Sequence, residues 1–216
     1  MEDNIILYAI KEDWMVLLPM VFCAFILAMV SLDRWFFYQK NKRDIVQFIQ
    51  RLQRELQRGA VEHAQGISSQ LGGVVGDVAV EGLRILVENR GDFGRSFDIA
   101  SHLASRKLSA RLSAIGTIAT IAPYLGLFAT VFRILLTFGD LAKQQSANAA
   151  PQVMFGIGSA LIATAVGLLI AIAAVALNNW FQSNVQRFED DFQLLKLLFL
   201  SYAKPEVRAA ASAGAY

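Results

Sequence analysis

The 216-residue chain has one cysteine, two histidines and four prolines, and these scarcities close off much chemistry. Cys23 alone can form neither an intrachain disulfide nor a cysteine metal cluster, and inside an apolar run it reads as a small hydrophobe. His63 and His102 lack the spacing of metal ligands and read as surface or packing residues. No nucleophile–base pair, metal set or nucleotide motif occurs, and Gly91-Asp92-Phe93-Gly94-Arg95 resembles a turn and helix start more than a phosphate loop. The expectation is therefore a protein that is not an enzyme and needs no cofactor. Net charge is also scarce, at +2, and nothing points to nucleic acid. The basic cluster Lys40-Asn41-Lys42-Arg43 follows an apolar run, where contact with anionic lipid is its ordinary meaning.

What is abundant is apolar surface: 55% of residues are hydrophobic and the mean hydropathy is +0.43. Residues 14–32 are apolar except for Ser31 and would reach about 28 Å as a helix, close to the thickness of a hydrocarbon core. The aromatic group Trp35, Phe36, Phe37 and Tyr38 fits an interfacial belt. Residues 112–138 and 153–178 supply two further spans, joined by the polar loop 139–152 into a membrane hairpin. Basic residues concentrate in 33–111, whereas the loop has only Lys143 and the N-terminal stretch only Lys11. The positive-inside rule then puts the N-terminus and the loop outside, and residues 33–111 and the C-terminus in the cytoplasm. The acidic start argues against a cleaved signal peptide, and residues 1–13 read as an interfacial segment.

The expected fold class is an all-α integral membrane protein with three spans and long cytoplasmic helical extensions. Ile45, Val46, Phe48, Ile49, Leu52 and Leu56 mark the apolar face of one cytoplasmic helix. Gly59 and the stretch from Gly66 to Gly76 are expected to interrupt the helices. A further helix is expected over residues 78–87, and another from Phe93 directly into the second span. Residues 179–204 continue the third span as an amphipathic helix through Phe188, Phe192, Leu195 and Phe199, ending before Pro205. The tail, 205–216, reads as disordered.

Two spans carry more than an anchor needs. Gly116, Pro123, Thr130 and Thr137 recur every seven residues on the second, with Gly126 a turn from Thr130. On the third, Ser159, Ala163, Gly167 and Ala171 recur every four, beside Gly156, Ala160 and Thr164. Close packing through small residues, with hydroxyls bonded back to their own helix, is one reading. A hydroxyl-lined route for ions is the other, and periodicity leaves both open.

The segment Ala119-Thr120-Ile121-Ala122-Pro123-Tyr124-Leu125-Gly126-Leu127-Phe128-Ala129-Thr130-Val131 resembles the second span of the MotA/TolQ/ExbB proton-channel family. Gly156-Ile157-Gly158-Ser159-Ala160-Leu161-Ile162-Ala163-Thr164-Ala165-Val166-Gly167-Leu168 resembles the third. The resemblance, closest to ExbB and TolQ, covers residues 110–180 and is only topological before them. It implies a homopentameric ring in a bacterial inner membrane, enclosing an ExbD- or TolR-like single-span partner whose intramembrane aspartate carries protons. Proton flow through such assemblies drives work on the envelope through TonB- or TolA-like proteins. By position, Thr130 and Thr164 would lie nearest that aspartate, with Ser159 and Thr137 on the same pathway and Gly116, Pro123, Gly126, Gly156, Ala160 and Gly167 on the packing and pore face. The chain departs from the pattern twice: Ser159 stands where the pattern has glutamate, and Arg133 stands where it has glycine. Both positions fall toward the outer ends of their spans. Arg133 is expected to snorkel or to pair, leaving the pore proton-competent with its partner. A non-conducting scaffold and a stator coupled to another cation are the competing expectations.

Overall fold

A computed structural model describes residues 14–41, 43–88, 92–143 and 149–203. The expectations for residues 1–13, for the middle of the outer loop and for the tail fall outside the described residues. Seven helices are present among those described: α1 (Trp14–Asn41), α2 (Ile45–Gln57), α3 (Val61–Leu71), α4 (Gly73–Glu88), α5 (Phe93–Ser109), α6 (Leu112–Lys143) and α7 (Ala149–Tyr202). Three of them, α1, α6 and α7, are long and apolar enough to cross a membrane. The hairpin helices run further than the spans require, α6 past Phe138 to Lys143 and α7 from Ala149 to Tyr202, which narrows the polar loop.

The chain divides into two compact units. The first comprises residues up to Asp33 together with residues 111–181. Its interior is built from Met20 and Leu27 of α1, Ile115, Ile118, Ala122 and Ala129 of α6, and Ala160, Ala163, Ala171 and Ala174 of α7. Small residues dominate because the helices approach closely. A Cβ on Gly167 would stand 2.9 Å from the Ala122 carbonyl oxygen and 2.9 Å from the Gly126 Cα. The outward faces are large and apolar, as at Phe22, Phe25, Leu135 and Ile172, which suits lipid or neighbouring protein and not water. At one end, Arg111 and Asp33 form a 2.9 Å ion pair.

The second unit comprises residues 34–110 and 182 onward. Asp44 caps α2 by accepting from the Gln47 N–H, and Asp92 caps α5 by accepting from the Arg95 N–H. Leu52, Leu83, Phe97, Leu108, Leu195 and Phe199 form its core. Gly82 lets the Phe97 and Phe199 rings close in, since a Cβ there would lie 2.7 Å from each.

Two expectations are corrected here. The stretch from Gly66 to Gly76 is not one long interruption: Gly66 lies inside α3 and Gly76 inside α4. Only Gly72 and Gly73, at φ 63° and 67°, make the break, because just these two take the left-handed region. The helix from Phe93 does not run into the second span either. It ends at Ser109, and Arg111 adopts φ 65°, unusual for a non-glycine residue. Side chains take over the end of α5: the Tyr38 hydroxyl donates to the Leu108 carbonyl at 2.8 Å and Arg34 donates to that of Lys107 at 3.4 Å. With those carbonyls satisfied by α1, the helix has no need of a further turn. Neither glycine nor proline marks the stop.

Candidate functional site

Gly126 of α6 and Thr164 of α7 meet where neither backbone is screened by bulk. A Cβ on Gly126 would stand 3.1 Å from the Thr164 Cα. That approach brings the Thr164 hydroxyl within reach of the facing helix, where it donates to the Gly126 carbonyl at 3.0 Å. The packing expectation, a hydroxyl bonded back to its own helix, is therefore wrong for Thr164. It holds for Thr130, whose hydroxyl donates to the Leu127 carbonyl at 2.7 Å. The two hydroxyl oxygens are 3.5 Å apart. Both oxygens keep acceptor capacity, and either proton can rotate to a new acceptor at small cost.

A second polar group lies one turn further along α6. Arg133 Nε donates to the Ser159 hydroxyl at 3.2 Å, and that hydroxyl donates to the Gly156 carbonyl at 3.0 Å. Thr137 donates to the Arg133 carbonyl at 2.9 Å and packs directly on Gly156. Ser159 is only 2% exposed, so within one chain it faces α6 and not an outer surface. The two departures from the motif pattern thus form a single contact. The remaining small residues divide by depth: Gly156, Ala160, Gly126 and Gly167 are buried in the packing of the spans, while Gly116 and Pro123 lie half-buried at its edge. Among the described residues, no cluster of three His, Cys, Asp or Glu side chains could hold a metal ion.

Residues 74–194, more than half of the chain, match the model of the MotA/TolQ/ExbB proton channel family. The chain belongs to that family. Among its relatives, the Tol-Pal system protein TolQ of Pseudomonas aeruginosa is 39% identical over 108 residues, covering 47% of this chain and 46% of that protein. The biopolymer transport protein ExbB of Pseudomonas putida is 29% identical over 176 residues, 76% of this chain and 53% of that protein. ExbB of Aquifex aeolicus is 41% identical over 81 residues, 38% of this chain and 54% of that protein. The chain spans about half the length of these relatives.

In this MotA/TolQ/ExbB chain, Arg133 lies within the second candidate span and is held from the side by the Ser159 hydroxyl. Removing that acceptor should be felt. Ser159→Ala is expected to lower stability by about 1–3 kcal/mol, the range for a buried hydrogen bond to a charged donor, in thermal unfolding of the detergent-solubilised protein. Unchanged stability would show that the Arg133–Ser159 contact carries no weight. Asn178 Oδ1 and Ser31 Oγ are buried without a hydrogen-bond partner among the described residues, and spacing gave neither a functional reading. Single polar residues near the ends of apolar runs carry no periodic signal that would have singled them out.

Proposed function

We propose that this chain is a stator subunit of the bacterial inner membrane, which uses a flow of protons to drive mechanical work on the cell envelope. It acts as a homopentamer with its N-terminus and the α6–α7 loop in the periplasm and its C-terminus in the cytoplasm. It encloses an ExbD/TolR-like single-span helix, and its output passes to a TonB- or TolA-like protein. It is not an enzyme and requires no bound cofactor. The observation that carries this reading is the Thr130–Thr164 hydroxyl pair, which Gly126 makes possible.

The physical logic is that of a carboxylate at membrane depth. An isolated carboxylate in hydrocarbon is strongly disfavoured, and donors that rotate to meet it lower that penalty. Thr130 and Thr164 supply two such donors, which can turn back to backbone carbonyls when the carboxyl is protonated. The chain has no acidic residue in these spans, so the titrating group has to come from a partner.

The test is proton flux in liposomes containing this chain and the ExbD/TolR-like protein of the same organism. Flux is expected with both proteins, and is expected to be lost with the chain alone or when the partner's intramembrane aspartate becomes asparagine. No flux from the intact complex would refute the motor reading and leave a non-conducting pentameric scaffold. Flux that follows a sodium gradient and ignores the pH gradient would replace the proton with another cation.

A further inference from the structure

Besides the face it packs on α7, α6 carries a second polar face. Ser113, Thr117, Thr120 and Tyr124 recur at i, i+4, i+7 and i+11, and so lie within a strip about 60° wide. This strip points away from the buried side formed by Ile115, Ile118, Ala122 and Ala129. The Thr117 hydroxyl donates to the Ser113 carbonyl at 2.8 Å and that of Thr120 to the Thr117 carbonyl at 2.9 Å, both exposed.

Tyr124 cannot satisfy itself in that way. It is 70% exposed, and its hydroxyl has no hydrogen-bond partner among the described residues. It stands about 18 Å along the helix from Leu112, near the middle of a hydrocarbon core about 30 Å thick. A phenol hydroxyl aimed into lipid there would be left unsatisfied at a cost of several kcal/mol, so lipid is a poor neighbour for this strip. Beyond Tyr124 the same strip turns apolar, at Phe128, Val131 and Leu135.

A second observation comes from other helices at the same end of the unit. Asn178 Oδ1 of α7 and Ser31 Oγ of α1 are buried with no hydrogen-bond partner among the described residues. Asn178 lies over Gly116, whose Cβ would be 3.8 Å from that oxygen. Ser31 precedes by two residues Asp33, which pairs with Arg111 just before α6 begins. Buried polar atoms of this kind are ordinarily met by water.

We infer that the Leu112 end of the membrane unit holds a water-filled vestibule lined by Ser113, Thr117, Thr120 and Tyr124 and closed above by Phe128. Its occupant is water, and with it protons. It brings water to within about 9 Å, measured along the helix axis, of Thr130. The use of that water to connect the hydroxyl pair with the cytoplasm rests on the function proposed above; the hydration itself does not.

Single cysteines at positions 117, 120, 124, 128 and 135, introduced into a Cys23→Ser background of the full chain in liposomes, test this. A charged, membrane-impermeant methanethiosulfonate is the probe. Thr117→Cys, Thr120→Cys and Tyr124→Cys are expected to react at least about tenfold faster than Phe128→Cys and Leu135→Cys. Equal, slow rates at all five positions overturn the vestibule, whether lipid or a second copy covers the strip. Should a variant fail to fold, water-edited solid-state NMR of the wild-type chain in bilayers gives the same answer. Polarisation from water should then reach Thr117, Thr120 and Tyr124 before Phe128 and Leu135, and simultaneous arrival overturns the inference. Neither measurement needs ion flow. A dry strip in a conducting complex refutes the vestibule alone, and a wet strip in a non-conducting complex refutes the proposed function alone.

Discussion

Gly167→Leu should unfold or misassemble the membrane unit, at a cost of more than about 3 kcal/mol, because the added atoms meet main chain on two sides. A Cβ at Gly167 would stand 2.9 Å from the Ala122 carbonyl oxygen and 2.9 Å from the Gly126 Cα, and neither can rotate aside. The Met20 Cε, also 2.9 Å away, is the one flexible neighbour, and moving it relieves only one of three contacts. Gly158 supplies the control, since nothing lies within 4 Å of its Cβ position in a single chain. Gly158→Leu should keep unfolding stability within about 1 kcal/mol of wild type, the size of the helix-propensity difference. Unfolding of solubilised protein by heat or by a denaturing detergent measures both. Equal losses at the two positions would mean that α6 and α7 do not meet at Gly126 and Gly167.

On the proposed function, Thr164→Val is expected to cut ion flow at least about tenfold while leaving the chain folded. Valine keeps the branched shape, so the close approach to Gly126 survives. The hydroxyl that donates to the Gly126 carbonyl and lies 3.5 Å from that of Thr130 is lost. Its structural cost is a single neutral hydrogen bond, about 1 kcal/mol. Its effect on flow should be larger, since a carboxylate at membrane depth loses one of two donors; a fall of at least about tenfold corresponds to about 1.4 kcal/mol of barrier. Thr164→Ser restores the hydroxyl and should restore most of the flow. Thr130→Ser should be close to neutral, because that hydroxyl already bonds within its own helix. Flow in Thr164→Val equal to wild type would remove Thr164 from the pathway, and failure of Thr164→Ser to rescue would make its role one of packing.

Much of the architecture was legible because its signals are local. Apolar runs of sufficient length marked α1, α6 and α7, and the face of Ile45, Val46, Phe48, Ile49, Leu52 and Leu56 marked α2; Phe48, Leu52 and Leu56 are buried, whereas Val46 is 62% exposed. The stop at Ser109 was invisible, since it depends on Tyr38 and Arg34, some seventy residues away, satisfying the carbonyls of α5. Gly66 and Gly76 misled for a related reason. A glycine breaks a helix or fits inside one according to its neighbours, and Gly76 fits because the Ser68 carbonyl leaves no space for a Cβ.

For the hydroxyl pair, the chain's order of residues alone determined that Thr130 and Thr164 sit in facing apolar segments with glycine at helical spacing. The resemblance of its two motifs added that Ser159 and Arg133 stand where the pattern has glutamate and glycine. Only the tertiary structure decided that Thr164 bonds across to Gly126 and that Arg133 holds Ser159. Spacing along a helix gives the angle of each side chain about its own axis. The partner of a side chain depends on how two helices are rotated and shifted against each other, and that is settled by the best fit of their whole surfaces.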